Sequence, residues 1–270
     1  MNKVLIQRIA MKRVAILISV LLTVSSYSNE DNITLLAKLD NPTSMIVFCQ
    51  ESQDVPLRTV NYVYDQNDNL IAETSTRNGE SPSEIRFEYN TDNQITLEVH
   101  LTDHRKTEST YVYNEANQLV NILYKLTDYD TDGQITAETE MEAPREYIND
   151  QLVKEWEYWG GFSTYEYKDG KVVTKIDHTK NGGKHHFTYY KYSGNLLTEE
   201  KKETRLGGLM YLKTYHYDSQ NRLTQIRDQE NVVEESDYNG NRLIEKREYY
   251  FGIDPGYFPC QGNYVYRYEY

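Results

Sequence analysis

The stretch Tyr215-His-Tyr217-Asp-Ser-Gln-Asn-Arg-Leu223-Thr-Gln-Ile-Arg-Asp228 constrains this chain most, because looser copies recur from residue 59 to about residue 250. It reads as a strand ending in Tyr-x-Tyr, a polar turn, and a second strand opening on an aliphatic residue. The anchor tyrosines are Tyr64, Tyr89, Tyr113, Tyr129, Tyr147, Tyr167, Tyr192, Tyr217 and Tyr238, spaced 16 to 25 residues apart. The aliphatic residues that follow them are Leu70, Ile95, Leu119, Ile135, Leu152, Val172, Leu196, Leu223 and Leu243. Nine copies at that spacing make a repeat protein.

The strands read directly from their alternation. Ile95, Leu97, Val99 and Leu101 share one face, with Thr96, Glu98 and His100 on the other, the period of a half-buried strand. Between copies stand Asn78-Gly79, Gly160-Gly161, Asn181-Gly182-Gly183 and Gly207-Gly208, which supply the positive φ of tight hairpins. Each unit is then two antiparallel strands, joined internally by an Asp/Asn turn and to the next unit by a Gly turn. Helical periodicity and helix caps are missing from the repeats. The fold class is all-β: an antiparallel meander of repeated hairpins, forming a sheet that twists and curves as it grows.

Tyrosine supplies the bulk of the aromatic content, with 26 copies against six Phe and two Trp. The core is therefore built from rings that each carry a hydroxyl in need of a partner. A tyrosine ladder packed inside, its hydroxyls on backbone or turn carboxylates, is the plainer reading. An exposed aromatic platform for sugars is the alternative.

From Tyr217-Asp-Ser-Gln-Asn-Arg-Leu223 to Asp228 the chain resembles the YD-repeat, or Rhs-repeat, family, whose pattern is Tyr-Asp, a short turn, Gly/Asn-Arg-Leu-Thr, an aliphatic and Asp. Tyr64-Asp65 with Asn69-Leu70, and Tyr238-Asn239 with Asn241-Arg-Leu243, are further matches. The resemblance implies extracellular or surface β-structure, enclosing a toxin in long arrays or acting in cell contact and carbohydrate binding. The array here is too short to close a shell, and Tyr249 to Tyr270 reads as more strand rather than an effector, so toxin delivery is not implied.

Residues 1–28 read as a secretory signal peptide: basic Met11-Lys-Arg13, an apolar run from Val14 to Val24, and small residues at Ser26-Tyr-Ser28. Met11 is a candidate start. Residues 29–45 read as a leader or cap and 46–270 as the repeat domain. No membrane span is expected in the mature chain, and the expected address is periplasmic or extracellular. Removing residues 1–28 leaves 25 bases against 42 acids, net −17, a field that excludes nucleic acid as a partner. In an exported chain the two cysteines, Cys49 and Cys260, are expected to pair.

One stretch has the look of a metal site. Asp128-Tyr-Asp130-Thr-Asp132-Gly133-Gln-Ile135 reads like the first half of a calcium loop, with Asp128, Asp130 and Asp132 as ligands, although Thr139 stands where the bidentate Glu belongs. Its rival is the repeat's own turn. His100 and His104 are four apart but start on a strand, and adjacent His185 and His186 should point to opposite faces. Nucleophile, zinc-protease and phosphate-loop motifs are absent, so no catalytic residues and no cofactor beyond calcium are expected. The reading is an exported, non-enzymatic interaction or structural module with an unknown protein or glycan as partner. A carbohydrate-binding surface protein and a polysaccharide hydrolase are the alternatives.

Overall fold

The computed structural model describes residues 40–77, 79–249 and 263–270. The signal peptide, most of the leader, Asn78 and Cys260 lie outside the described residues. No helix occurs among those described, and none is therefore long and apolar enough to cross a membrane. In chain order the strands are β1 (Ser44–Cys49), β2 (Arg58–Tyr64), β3 (Leu70–Arg77), β4 (Ser83–Tyr89), β5 (Ile95–Leu101) and β6 (Arg105–Tyr113). Then come β7 (Leu119–Tyr129), β8 (Ile135–Glu142), β9 (Arg145–Ile148), β10 (Gln151–Trp156), β11 (Phe162–Lys168), β12 (Lys171–His178) and β13 (Lys184–Ser193). The last are β14 (Leu196–Thr204), β15 (Leu209–Tyr217), β16 (Leu223–Asp228), β17 (Asn231–Asn239), β18 (Arg242–Tyr249) and β19 (Asn263–Glu269). The chain is an all-β antiparallel meander, as its alternation indicates.

The chain packs as two compact units: one holds the described residues up to Glu84 together with Lys213–Tyr270, the other Ile85–Leu212. In the first unit β15 through β19 pair in succession, and β2 pairs with β3. β1 lies between β19 and β2, with Ser44 opposite both Glu269 and Asn61. Val60 and Val265 are wholly buried, with Leu70, Met45 and Phe48 close to it. These apolar side chains, carried by β1, β2, β3 and β19, are the buried core of this unit. In the second unit β5 to β8 form one run of hairpins and β9 to β14 another.

Eight turns share one five-residue frame. At Asp218 the main-chain N–H donates to the Arg222 carbonyl at 3.0 Å, and the Asn221 N–H donates back to the Asp218 carbonyl. The Asp218 carboxylate accepts from the N–H groups of Gln220 and Arg222, at 2.8 and 3.0 Å. Asp65, Asn90, Asn114 and Asp130 repeat both sets of bonds. Such side-chain capping of the local backbone is why Asp and Asn lead these turns. The fourth residue takes positive φ, filled by Asp68, Asn93, Asn117 and Asn221 or by Gly133, Gly160, Gly182 and Gly207.

The Gly-Gly turns are therefore not a second class. Glu157–Gly161, Thr179–Gly183 and Thr204–Gly208 have the same main-chain frame, with Gly meeting the left-handed position that Asp or Asn meets elsewhere. The short connections are different residues: Asn149 and Asp150 at φ 50 and 64, and Asp169 and Gly170 at φ 52 and 78. Both residues at positive φ mark the hairpin turn whose twist matches its strands.

Candidate functional site

Where a strand enters its turn, the register shifts by one residue at the anchor tyrosine. The shift falls between Val63 and Tyr64, Val112 and Tyr113, Asp128 and Tyr129, Glu166 and Tyr167, Lys191 and Tyr192, His216 and Tyr217, and Asp237 and Tyr238. A bulge disturbs the ladder there. The disturbed spot is then covered from the next repeat. The hydroxyls of Tyr113, Tyr147 and Tyr167 donate to the carbonyl oxygens of Ile95, Leu119 and Leu152 at 2.9–3.0 Å. Tyr238 and Tyr270 do the same to Leu223 and Leu243, at 2.8 and 2.9 Å. Each acceptor is the first aliphatic residue after an earlier anchor's turn, and for Tyr147 that anchor is Tyr113 rather than the neighbouring Tyr129. Burial pushes the Tyr217 and Tyr238 phenols up to about 12.

A second set of tyrosines meets carboxylates. Tyr111 donates to Glu98 at 2.9 Å, Tyr249 to Glu235 at 2.9 Å and Tyr266 to Glu248 at 2.8 Å. Tyr165 and Tyr211 donate to Glu155 and Glu200. These acids stand on strands, not in the turns where the sequence pattern suggested them. Burial raises the Glu98 carboxyl above the usual carboxylate range, partly offset by the Tyr111 bond.

Two polar clusters result, one in each unit. In the second unit Glu155 is buried and lies 3.3 Å from Arg145 and 3.9 Å from Lys175. Lys175 stands 3.8 Å from Asp177, which accepts from Ser163 at 3.0 Å and pairs with Lys202 at 3.0 Å. Burial works against the Asp177 charge, but Lys175 and Lys202 outweigh it and hold the carboxyl below its usual range. In the first unit Lys246 is buried between Glu234 at 3.2 Å and Glu248 at 2.5 Å. Burial raises the Glu234 carboxyl in spite of that lysine. A buried charge survives only with such partners.

Tyr64, Tyr89, Tyr113, Tyr129 and Tyr217 end their strands, and Tyr147, Tyr167, Tyr192 and Tyr238 sit one residue before the end of theirs. Cys49 is the last residue of β1, while its expected partner is outside the described residues. The calcium trio does not converge. Asp128 is drawn to Arg105 at 2.6 Å, which holds its carboxyl below the usual range, and Asp130 is occupied by the N–H groups of Asp132 and Gln134. Asp132 is exposed in the turn. Among the described residues no group of three His, Cys, Asp or Glu is placed to hold a metal, His100 and His104 included.

His185 and His186 correct the expectation of opposite faces. A bulge opposite His178 lets their rings touch, with centroids 3.8 Å apart. The sequence reading missed both the carboxylate partners of the tyrosines and the turn Glu157–Gly161. There Tyr158 and Trp159 are 54% and 58% exposed, and the indole of Trp159 lies across Gly161, leaving no room for a Cβ. Tyr158 meets the Tyr124 ring edge-on at 5.8 Å. Two aromatic rings at positions where none of the other seven turns has one were a legible signal.

No family model and no curated protein sequence matches the chain. Among solved structures it is similar to a porin-like protein from Bacteroides uniformis, at 14% identity over 85% of this chain and 98% of that one, with a TM-score of 0.42. It is also similar to a chain of the TcdB2-TccC3-Cdc42 structure, at 12% identity and TM-score 0.29, over 72% of this chain and 12% of that one. The TcdB2-TccC3-TEV structure gives 12% identity and TM-score 0.27, over 75% and 13%. The chain spans only about an eighth of the TcdB2-TccC3 chains it matches.

Proposed function

We propose that this is an exported, non-enzymatic YD-repeat module that serves interaction or structure. The observation that carries the reading is the clamp from a tyrosine hydroxyl to the carbonyl of the aliphatic residue after an anchor's turn, present at Ile95, Leu119 and Leu152 in one unit and at Leu223 and Leu243 in the other. It gives the repeated Tyr-turn-Leu pattern a purely structural purpose. In the cluster of the second unit, Glu155 and Asp177 are each held by its cations and hydroxyls. A general acid or base needs a proton to exchange with a substrate, and these carboxylates are committed elsewhere. Export rests on the basic, apolar and small-residue order of residues 11–28. The test is turnover by the purified mature chain on polysaccharide, ester and peptide panels. No turnover is expected; turnover abolished by Glu155→Gln or Asp177→Asn would establish the hydrolase reading instead.

The carbohydrate-binding reading keeps one specific observation, the exposed Tyr158 and Trp159. It moves the aromatic platform from the ladder to this turn. Glycan-array binding lost in Trp159→Ala and retained in Tyr113→Phe supports it, and an empty array for the wild type removes it.

A further inference from the structure

Among the described strands β8 is the outlier. Seven of its eight residues are exposed, with Met141 the exception, so neither face is covered. One edge pairs with β7, from Leu123 opposite Glu142 to Tyr129 opposite Ile135. No register among the described residues sets another strand against the other edge of Ile135–Glu142; β9 follows β8 after Ala143 and Pro144 and pairs with β10.

The ladder fixes which groups face that open edge. Ala143 exchanges both main-chain bonds with Ile122, at 2.9 and 3.2 Å, so Ala143 points toward β7. Antiparallel pairs alternate, so Met141, Thr139 and Ala137 point the same way, and Glu142, Glu140 and Glu138 turn their N–H and C=O groups outward. Pro144 confirms the parity. Its carbonyl lies on the outward side and accepts the Trp156 N–H at 2.9 Å. β10 therefore covers the edge as far as Pro144, and the turn Glu157–Gly161 then leads the chain away to β11. What remains open is the length of β8.

The three residues that offer main-chain groups also carry three carboxylates on one face. Glu138 has Lys125 at 3.0 Å and Glu142 receives the Asn121 amide at 3.2 Å. A second copy pairing here would set glutamates opposite glutamates, which is unfavourable across a ladder. A strand with a cation at every second residue would instead set each one opposite a glutamate. Its intervening residues would then lie beside Ala137, Thr139 and Met141.

We infer that the free edge of β8 is a docking site for an extended basic segment of a partner protein, added as a further antiparallel strand with Lys or Arg opposite Glu138, Glu140 and Glu142. The purpose of such a site rests on the interaction-module reading above, but its test reads the edge itself. The probe is an eight-residue peptide alternating lysine and valine, added to the full mature chain. Amide hydrogen exchange should slow at Glu138, Glu140 and Glu142, with a dissociation constant in the micromolar range. The same peptide methylated on its lysine main-chain nitrogens keeps its charge but cannot form the ladder, and should bind about tenfold or more weaker. The triple variant Glu138→Lys, Glu140→Lys, Glu142→Lys, exposed throughout and so expected to fold, should lose the lysine peptide and gain a glutamate–valine one.

Three results overturn the proposal: no slowing of those amides, equal binding of the methylated peptide, or protection of the same amides in a dimer without peptide. The second would mean general attraction to an acidic surface and the third a self-paired edge. None of them touches the absence of turnover on which the broader reading is tested.

Discussion

The hydroxyl of Tyr238 donates to the carbonyl oxygen of Leu223 at 2.8 Å, joining residues on strands separated by one turn and one ladder. Leu223 lies opposite Tyr217, where the register of β15 and β16 slips. The next tyrosine along the chain thus closes the gap left by the previous one. That relationship turns a weak sequence pattern into a self-consistent repeat, and it ties ring packing to main-chain satisfaction.

The turn frame gives a first expectation. Asp218→Ala removes two side-chain bonds to main-chain N–H groups and one ion pair with Arg222, at 2.6 Å. It should destabilise by about 1–2 kcal/mol, the size of a lost cap. Asp218→Asn, whose amide oxygen still accepts both N–H bonds while the ion pair is lost, should cost less than Asp218→Ala. Urea titration of the two variants measures the difference directly.

Asp130 extends the same logic to the calcium question. Its carboxylate serves the turn in the way that Asp65 and Asp218 serve theirs. Asp130→Asn should therefore melt close to wild type, and millimolar calcium should shift neither. A calcium-dependent rise in the wild-type melting temperature, absent from the variant, would restore the metal reading for Asp128, Asp130 and Asp132.

Glu98 sets a pH dependence. Burial raises its carboxyl above the value of an unfolded chain. The folded state then holds the proton more tightly, so this group's contribution to stability is most favourable at low pH and declines as pH rises through the raised value. Glu98→Gln keeps an acceptor for Tyr111 and carries no charge. Its stability relative to wild type should increase from pH 4 to pH 7, while a difference that shrinks over that range would show the carboxylate to be stabilising as an ion.

Export and the disulfide are read together by mass and thiol counts. The mature chain is expected to begin near Asn29 and to hold no titratable thiol when denatured without reductant. A Cys49–Cys260 bridge would close a loop of roughly 210 residues, for which chain entropy allows about 5 kcal/mol at the upper end. Retention of residues 11–28 would contradict export, and two free thiols would contradict the bridge.

The strands were legible in the residues because period-two alternation and the Tyr-turn-Leu punctuation are local. Ile95–Leu101 and Leu223–Asp228 are strands with the bounds their alternation suggests. The slip at seven of the anchors was not legible, because it follows from how a turn meets the ladder rather than from any residue type. The pairing of β1 with β19 was hidden for another reason: Ser44 and Glu269 are 225 positions apart, and period alone cannot name such a partner. With 42 acids in the chain, nothing marked Glu98, Glu155 or Glu248 as tyrosine acceptors until the strands set them opposite. His185 and His186 failed for the same reason as the anchors, since a bulge overrode simple alternation.

The clamp itself is tested most directly by removing only its oxygen. Tyr113→Phe and Tyr238→Phe leave the ring and take away the donor to Ile95 and Leu223, so each should cost about 1 kcal/mol, with Tyr113→Ala or Tyr238→Ala at about 3–5. The two sites lie in different units and share no partner, so the double Phe variant should lose the sum of the two. Equilibrium unfolding of these variants supplies the answer. Losses near those values confirm that the tyrosine hydroxyls hold the repeat together, whereas Phe variants as stable as wild type would contradict it.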